Sequence, residues 1–291
     1  MEPFVPTRRD VLLVRAELFS HGLPTELILE ILDHARYWVE RQHESTALRV
    51  LMDEEYDTEY TAAYPYLEMK AFPIETPFRT NRAEVPKIKE IEFLIVSHDQ
   101  GWTTEGTKGT YDTSSFFEVS ILTPKRLPQS DTSLSTSEDQ KREFYRNRDV
   151  FSNVELAVRN IFPTGMLHLV RRPSTETEPQ RMHCTEMTNI TKEPGTSQIE
   201  AAQGGMHAWY LQSNEVARGA SVFDGDMVRR YTIVWSSKLN TRWVGNEGTG
   251  SGENFIDTIK KDDRIVVWAR AKRRGWENHI HGVRMTIRYS F

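Results

Sequence analysis

The residue types that could do chemistry fall in a few short clusters. His279 and His281 flank Ile280, so on a strand both imidazoles would lie on one side. With His98 or Asp99 as a third donor they would offer the ligand types of a zinc site. No ligand quartet of recognisable spacing completes that set, so neither a metal nor another cofactor is expected. His183 and Cys184 are adjacent, but a thiol becomes a nucleophile only with a base beside it, and Cys184 reads as inert. The glycine-rich run GNEGTGSG, residues 245 to 252, lacks the lysine and the following helix of a phosphate loop. There is no Gly-x-Ser-x-Gly elbow and no HExxH. With no acid, base and nucleophile placed together, a non-enzymatic role is expected.

Three other clusters mix side chains that hydrogen-bond hydroxyls with rings that stack. They are Asp99, Gln100 and Trp102; Asn240, Arg242 and Trp243; and Trp276 with Asn278. Such mixtures suit a sugar or a peptide, and these eight residues are the candidate ligand contacts. The plainer alternative is that they are turn residues with tryptophans plugging the ends of a sandwich. Arg270, Lys272, Arg273 and Arg274, with Arg229 and Arg230 as candidate neighbours, form a basic cluster that reads as a solvated turn, the alternative being contact with an acidic partner surface or a nucleic acid.

Positioning such loops requires a scaffold, and 291 residues with 38% hydrophobic content can bury one. The 37 basic and 42 acidic residues leave a net charge of -5, which argues against a nucleic-acid partner. One cysteine excludes an intrachain disulfide, and no run approaches the roughly 20 apolar residues of a membrane span. The N-terminus lacks the apolar core of a signal peptide, so a soluble cytoplasmic or nuclear protein without membrane partners is expected.

The strongest pattern is C-terminal. Val283, Met285, Ile287, Tyr289 and Phe291 alternate with Arg284, Thr286, Arg288 and Ser290, the period of a strand with one buried face. Residues 264 to 272 (RIVVWARAK) form a second β-rich run, and the two read as a hairpin turning at 275 to 278. Further strands are expected at 88 to 97, 115 to 122, 154 to 161, 166 to 170, 209 to 214 and 230 to 236, about eight in all. Upstream, Thr7 caps a helix reaching residue 20. A second helical stripe then runs through Leu27, Ile28, Ile31, Leu32, Ala35, Trp38 and Val39. The reading is mainly β: a jelly-roll-like antiparallel sandwich over 88–291, a helical hairpin over 1–45, and an irregular linker over 46–87. The tracts 128–139 and 171–205 read as loops.

Residues 93–117 and 233–256 echo one another. Each runs from an apolar strand through Ser97 or Ser237, Trp102 or Trp243 and a Glu-Gly-Thr triplet to an apolar pair. Duplication and convergence of two hairpins on one turn chemistry both account for the echo.

The run LPTELILEIL, Leu23 to Leu32, resembles the opening of an F-box, the helical module that docks substrate receptors onto the Skp-type adaptor of a cullin ubiquitin ligase. The longer part resembles fungal proteins without assigned chemistry in which SHDQGW, WYLQSN and the 263–289 segment recur behind such a helix. F-box-associated and galactose-binding-like domains are also jelly rolls that bind through end loops. The resemblance implies a substrate receptor that docks a Skp-type adaptor through Leu27, Ile28, Ile31 and Leu32 and takes a protein or glycan target on its loops. The alternative is a stand-alone intracellular lectin-like domain that binds a glycan or glycoprotein.

Overall fold

The computed structural model describes residues 4–52, 61–72, 86–101, 108–125, 150–151, 154–161, 167–173, 207–217, 227–238, 240, 242–272 and 275–291. Trp102, the 128–139 tract, most of the 171–205 tract including His183 and Cys184, and Arg273 and Arg274 lie outside them.

The chain builds an antiparallel β-sandwich preceded by a pair of helices. The front sheet orders β1 (Val39–Ser45), β10 (Glu277–Ser290), β4 (Lys87–His98) and β8 (Arg229–Ser236), and β2 (Arg49–Met52) continues the edge of β1 along β10. The back sheet orders β3 (Thr61–Lys70), β9 (Arg264–Lys272), β5 (Ser115–Pro124) and β6 (Leu167–Leu169), with β7 (Trp209–Ser213) also paired to β5. Between them Ile91, Phe93, Ile95, Phe117, Val119, Trp209, Trp235, Val267, Met285 and Ile287 pack into one core. Each such side chain contributes roughly 1.5–3 kcal/mol by leaving water.

The strand β10 keeps its inward face only by slipping phase. Asn278 and Ile280 point inward at even positions, whereas Val283, Met285, Ile287 and Tyr289 point inward at odd ones. A β-bulge between Ile280 and Gly282 absorbs the extra residue, His281. A second irregularity, opposite Arg288 and Tyr289, lets both Lys89 and Glu90 reach the outer face of β4.

Four expectations need correction. The runs 264–272 and 277–290 do not pair as a hairpin: β9 and β10 are central strands of opposite sheets. β9 already has β3 and β5 on its two edges, so the chain has no edge to return to and crosses sheets at Gly275, whose φ of 87° favours glycine. The region read as a linker holds β2 and β3. Pro65 is tolerated because β3 is an outer strand whose register shifts at that point. Residues 154–161 form helix α3 rather than a strand, and Val154, Ala157 and Val158 seal Leu122, Val266 and Trp268 on the outside of β9 and β5. Alternation at two-residue spacing did not distinguish that amphipathic turn from a strand. Finally, the second helical stripe ends early. Helix α2 (Thr25–His34) stops before Trp38, which precedes β1, and Val39, which opens it.

The echo does not extend to element type. Phe116 and Phe117 lie in β5, whereas Phe255 and Ile256 open the single helical turn α4 (Phe255–Thr258). Helix α1 (Arg8–Ser20) begins with the expected Thr7 cap, completed by Asp10 into a capping box. Among the described residues no helix is long and apolar enough to cross a membrane.

Candidate functional site

The predicted contact residues separate into buried and open ones. Asn278 is fully buried on β10, and its amide nitrogen donates to the Phe116 and Arg270 carbonyls, each at 3.1 Å. Its carbonyl accepts from Asn214 Nδ2 at 3.1 Å, and Asn214 in turn joins Ser97 Oγ at 2.6 Å and Ser115 Oγ at 3.0 Å. This polar clamp ties the front sheet to the back one. Asn278 is therefore a structural residue with no group left for a ligand. Asp99 is also buried, its carboxylate accepting from the backbone N–H of Gly101 at 2.9 Å and of Ala217 at 3.0 Å, which closes its loop. Trp276 is buried, and Gln100 accepts from the Glu277 N–H at 3.5 Å. For these residues the plug reading fits the geometry.

The Arg270 expectation is overturned. Arg270 is buried on β9 and pairs with buried Glu118 at 2.5 Å, while its Nε donates to the Ala62 carbonyl at 3.1 Å. The apolar residues around it in sequence mark a covered strand, not a turn.

The glycine-rich stretch 245–252 closes the open side between the sheets. Val244 bridges Val234 on β8, and Thr249 bridges Gln212 on β7. Trp235 Nε1 donates to the Gly250 carbonyl at 3.0 Å, and a Cβ on Gly252, at φ 64°, would meet the Trp235 ring at 2.1 Å. Its glycines serve close approach of backbone to indole.

The open residues gather on the outer face of the front sheet, where α2 meets β4. Glu90 lies buried there, accepting from Asn240 Nδ2 at 3.1 Å and from Arg36, with Arg288 at 3.6 Å and Arg242 at 3.8 Å. Asp33 of α2 pairs with Lys89 at 2.6 Å and accepts from the Trp38 indole at 2.9 Å. These ion pairs fasten the helical hairpin to the sandwich. Trp243, 48% exposed, stands beside Arg242, whose side chain is 45% exposed. Arg36 and Trp38 were missed as site residues because nothing in their spacing marks them, and only the fold carries them to Glu90.

Within the hairpin, Ile28 and Leu32 are buried with Val11 in a small core of their own, joined by Val14, Leu18, Leu23, Tyr37 and Val39. Leu27 and Ile31 face outward at 47% and 43% exposure. The four candidate docking residues thus divide into two that hold the hairpin together and two that remain open.

At the other end of the same face the three histidines do meet. His98 and His279 are cross-strand partners whose rings stack at 4.4 Å and 12°, and His281 lies 5.4 Å from His98. Stacked rings set their lone pairs side by side instead of on one centre, and no cluster of three or more His, Cys, Asp or Glu among the described residues is arranged for a metal. His98 Nδ1–H donates to the Asp99 carbonyl at 2.5 Å, and His279 meets Glu277 at 2.6 Å. Burial, and then the neighbouring imidazoles His279 and His281, hold the His98 pKa below its usual value.

The unfolded chain therefore takes up a proton at His98 near pH 6.5 before the folded one does. Stability contributed by His98 is complete above that pH and lost as pH falls below it. Urea midpoints at pH 7.5 and 5.5 should show this loss, and His98→Gln should reduce it. An unchanged pH dependence in the variant would show that His98 is not its source.

Comparison with protein-family models, with curated proteins and with solved structures finds no match to this chain.

Proposed function

We propose that the chain is a non-enzymatic recognition protein, an F-box-like substrate receptor whose helical hairpin docks a Skp-type adaptor while the sandwich presents the Asn240–Trp243 segment to a target. The supporting observation is the outer surface of the hairpin. Its private core uses one stripe of each helix, and Leu12, Leu13, Phe19, Leu27, Leu29 and Ile31 stay in water, Phe19 at 65% exposure. A helix pair that only capped a sheet would keep that side polar. So many large apolar side chains left in water on two short helices point to an interaction site.

Titration of the full chain with a Skp-type adaptor should give a complex. Leu27→Asp and Ile31→Asp should each weaken it by roughly 2 kcal/mol or more, since central apolar anchors dominate such interfaces. Thermal midpoints should barely move, because both side chains already face solvent. No complex with the unmodified chain would refute the docking half of the reading.

The exposed Trp243 ring favours a second reading, a lectin-like domain that stacks a sugar on it. That reading predicts glycan-array binding lost in Trp243→Ala, and a blank array would count against it.

A further inference from the structure

We infer that the seam between the hairpin and the front sheet is a binding site for an anionic group of the target, a carboxylate or a phosphate, held by Arg36 and Arg242 beside Trp243. The inference deepens the reading of the Asn240–Trp243 segment as a recognition surface and rests on it.

Charge pairing along the seam leads to it. Arg288 has two carboxylates of its own, Glu40 at 2.5 Å and Glu92 at 2.9 Å, and Lys89 has Asp33. Among the described residues, Glu90 is the single anion facing both Arg36 and Arg242, and it also lies 3.6 Å from Arg288. Its two oxygens already accept from Arg36 and from Asn240, so Arg242 comes no nearer than 3.8 Å and makes an ion pair without a hydrogen bond. One negative charge thus answers both guanidiniums, and the Arg242 side chain stays 45% exposed.

The backbone at Arg36 adds a second observation. Residue 36 follows α2 with φ 51°, the left-handed conformation that usually goes to glycine, while the Tyr37 N–H returns to the Leu32 carbonyl as in a Schellman turn. An arginine here carries a conformational cost that glycine would avoid. Its guanidinium lies over the buried Trp38 ring at 5.2 Å and is fixed by Glu90, yet its side chain remains partly open. Both cationic groups lie on one Glu90 oxygen, so an incoming anion can meet both forks at once, the geometry that guanidinium recognition of carboxylate and phosphate requires. The Trp243 ring gives the group bearing that anion a flat surface to rest on.

The test is calorimetric titration of the full chain with a short poly-glutamate peptide, a phosphoserine peptide of equal length, its unphosphorylated serine counterpart, and inorganic phosphate. Binding of either anionic peptide is expected, with the serine peptide silent. Which of the two binds identifies the source of the anion. Arg242→Gln should weaken binding by roughly tenfold or more. Leu27→Asp should leave it unchanged, which separates this site from adaptor docking.

Binding that survives Arg242→Gln, or silence from both anionic peptides, overturns the inference. A response to inorganic phosphate alone means an adventitious ion only and overturns it as well. Adaptor capture with no anionic peptide bound would leave the docking proposal standing and remove this one.

Discussion

Glu118→Ala is expected to cost about 3–5 kcal/mol of folding stability, because it removes the buried carboxylate that pairs with the buried Arg270 guanidinium. Against a typical total of roughly 5–15 kcal/mol, that loss brings the fold close to its limit. The more informative variant replaces both partners. Glu118→Leu combined with Arg270→Met removes the pair and refills its volume with apolar atoms, and should cost within about 1 kcal/mol, since the desolvation penalty disappears along with the attraction. The double variant also takes away the donor to the Ala62 carbonyl, which accepts from Arg270 Nε. Urea unfolding of the single and double variants gives both numbers. Equal losses in the two would mean that the attraction itself, beyond the avoidance of a stranded charge, holds β5 to β9.

Asn278→Leu is expected to destabilise by about 3 kcal/mol although it keeps the side-chain volume. It removes the donor to the Phe116 and Arg270 carbonyls and the acceptor for Asn214, each in a place that water does not reach. The clamp also carries specificity. Ser97 and Asn278 come from the front sheet, Ser115 from the back sheet and Asn214 from just beyond β7. A change at one member should therefore loosen the strand ends of both layers. Hydrogen exchange in the variant should rise at Ser97, Ser115 and Asn214 together. A rise confined to β10 would show that the network does not couple the sheets.

The alternation from Val283 to Phe291 and the continuous apolar runs of β4, β5 and β9 were enough to predict a mainly β sandwich behind two helices. Side-chain period is a local consequence of which faces are covered. The Thr7 cap was equally local and equally legible. The pairing of strands was not, because β9 and β10 adjoin in sequence yet belong to opposite sheets, and only the occupied edges of β9 forbid the hairpin.

The same division runs through the candidate site. Residue types nominated Arg242 and Trp243, which the structure leaves exposed, and Asn240, which it leaves partly exposed, but also Asp99, Trp276 and Asn278, which it buries. A polar side chain reads alike in sequence whether its partners are water or buried backbone groups. Those partners come from residues far along the chain, such as Ala217 for Asp99 and Phe116 for Asn278. Whether Leu27 and Ile31 face water or a core, and whether Arg36 and Arg242 share one carboxylate, likewise depended on long-range packing, since no local pattern records which surfaces a distant segment will cover.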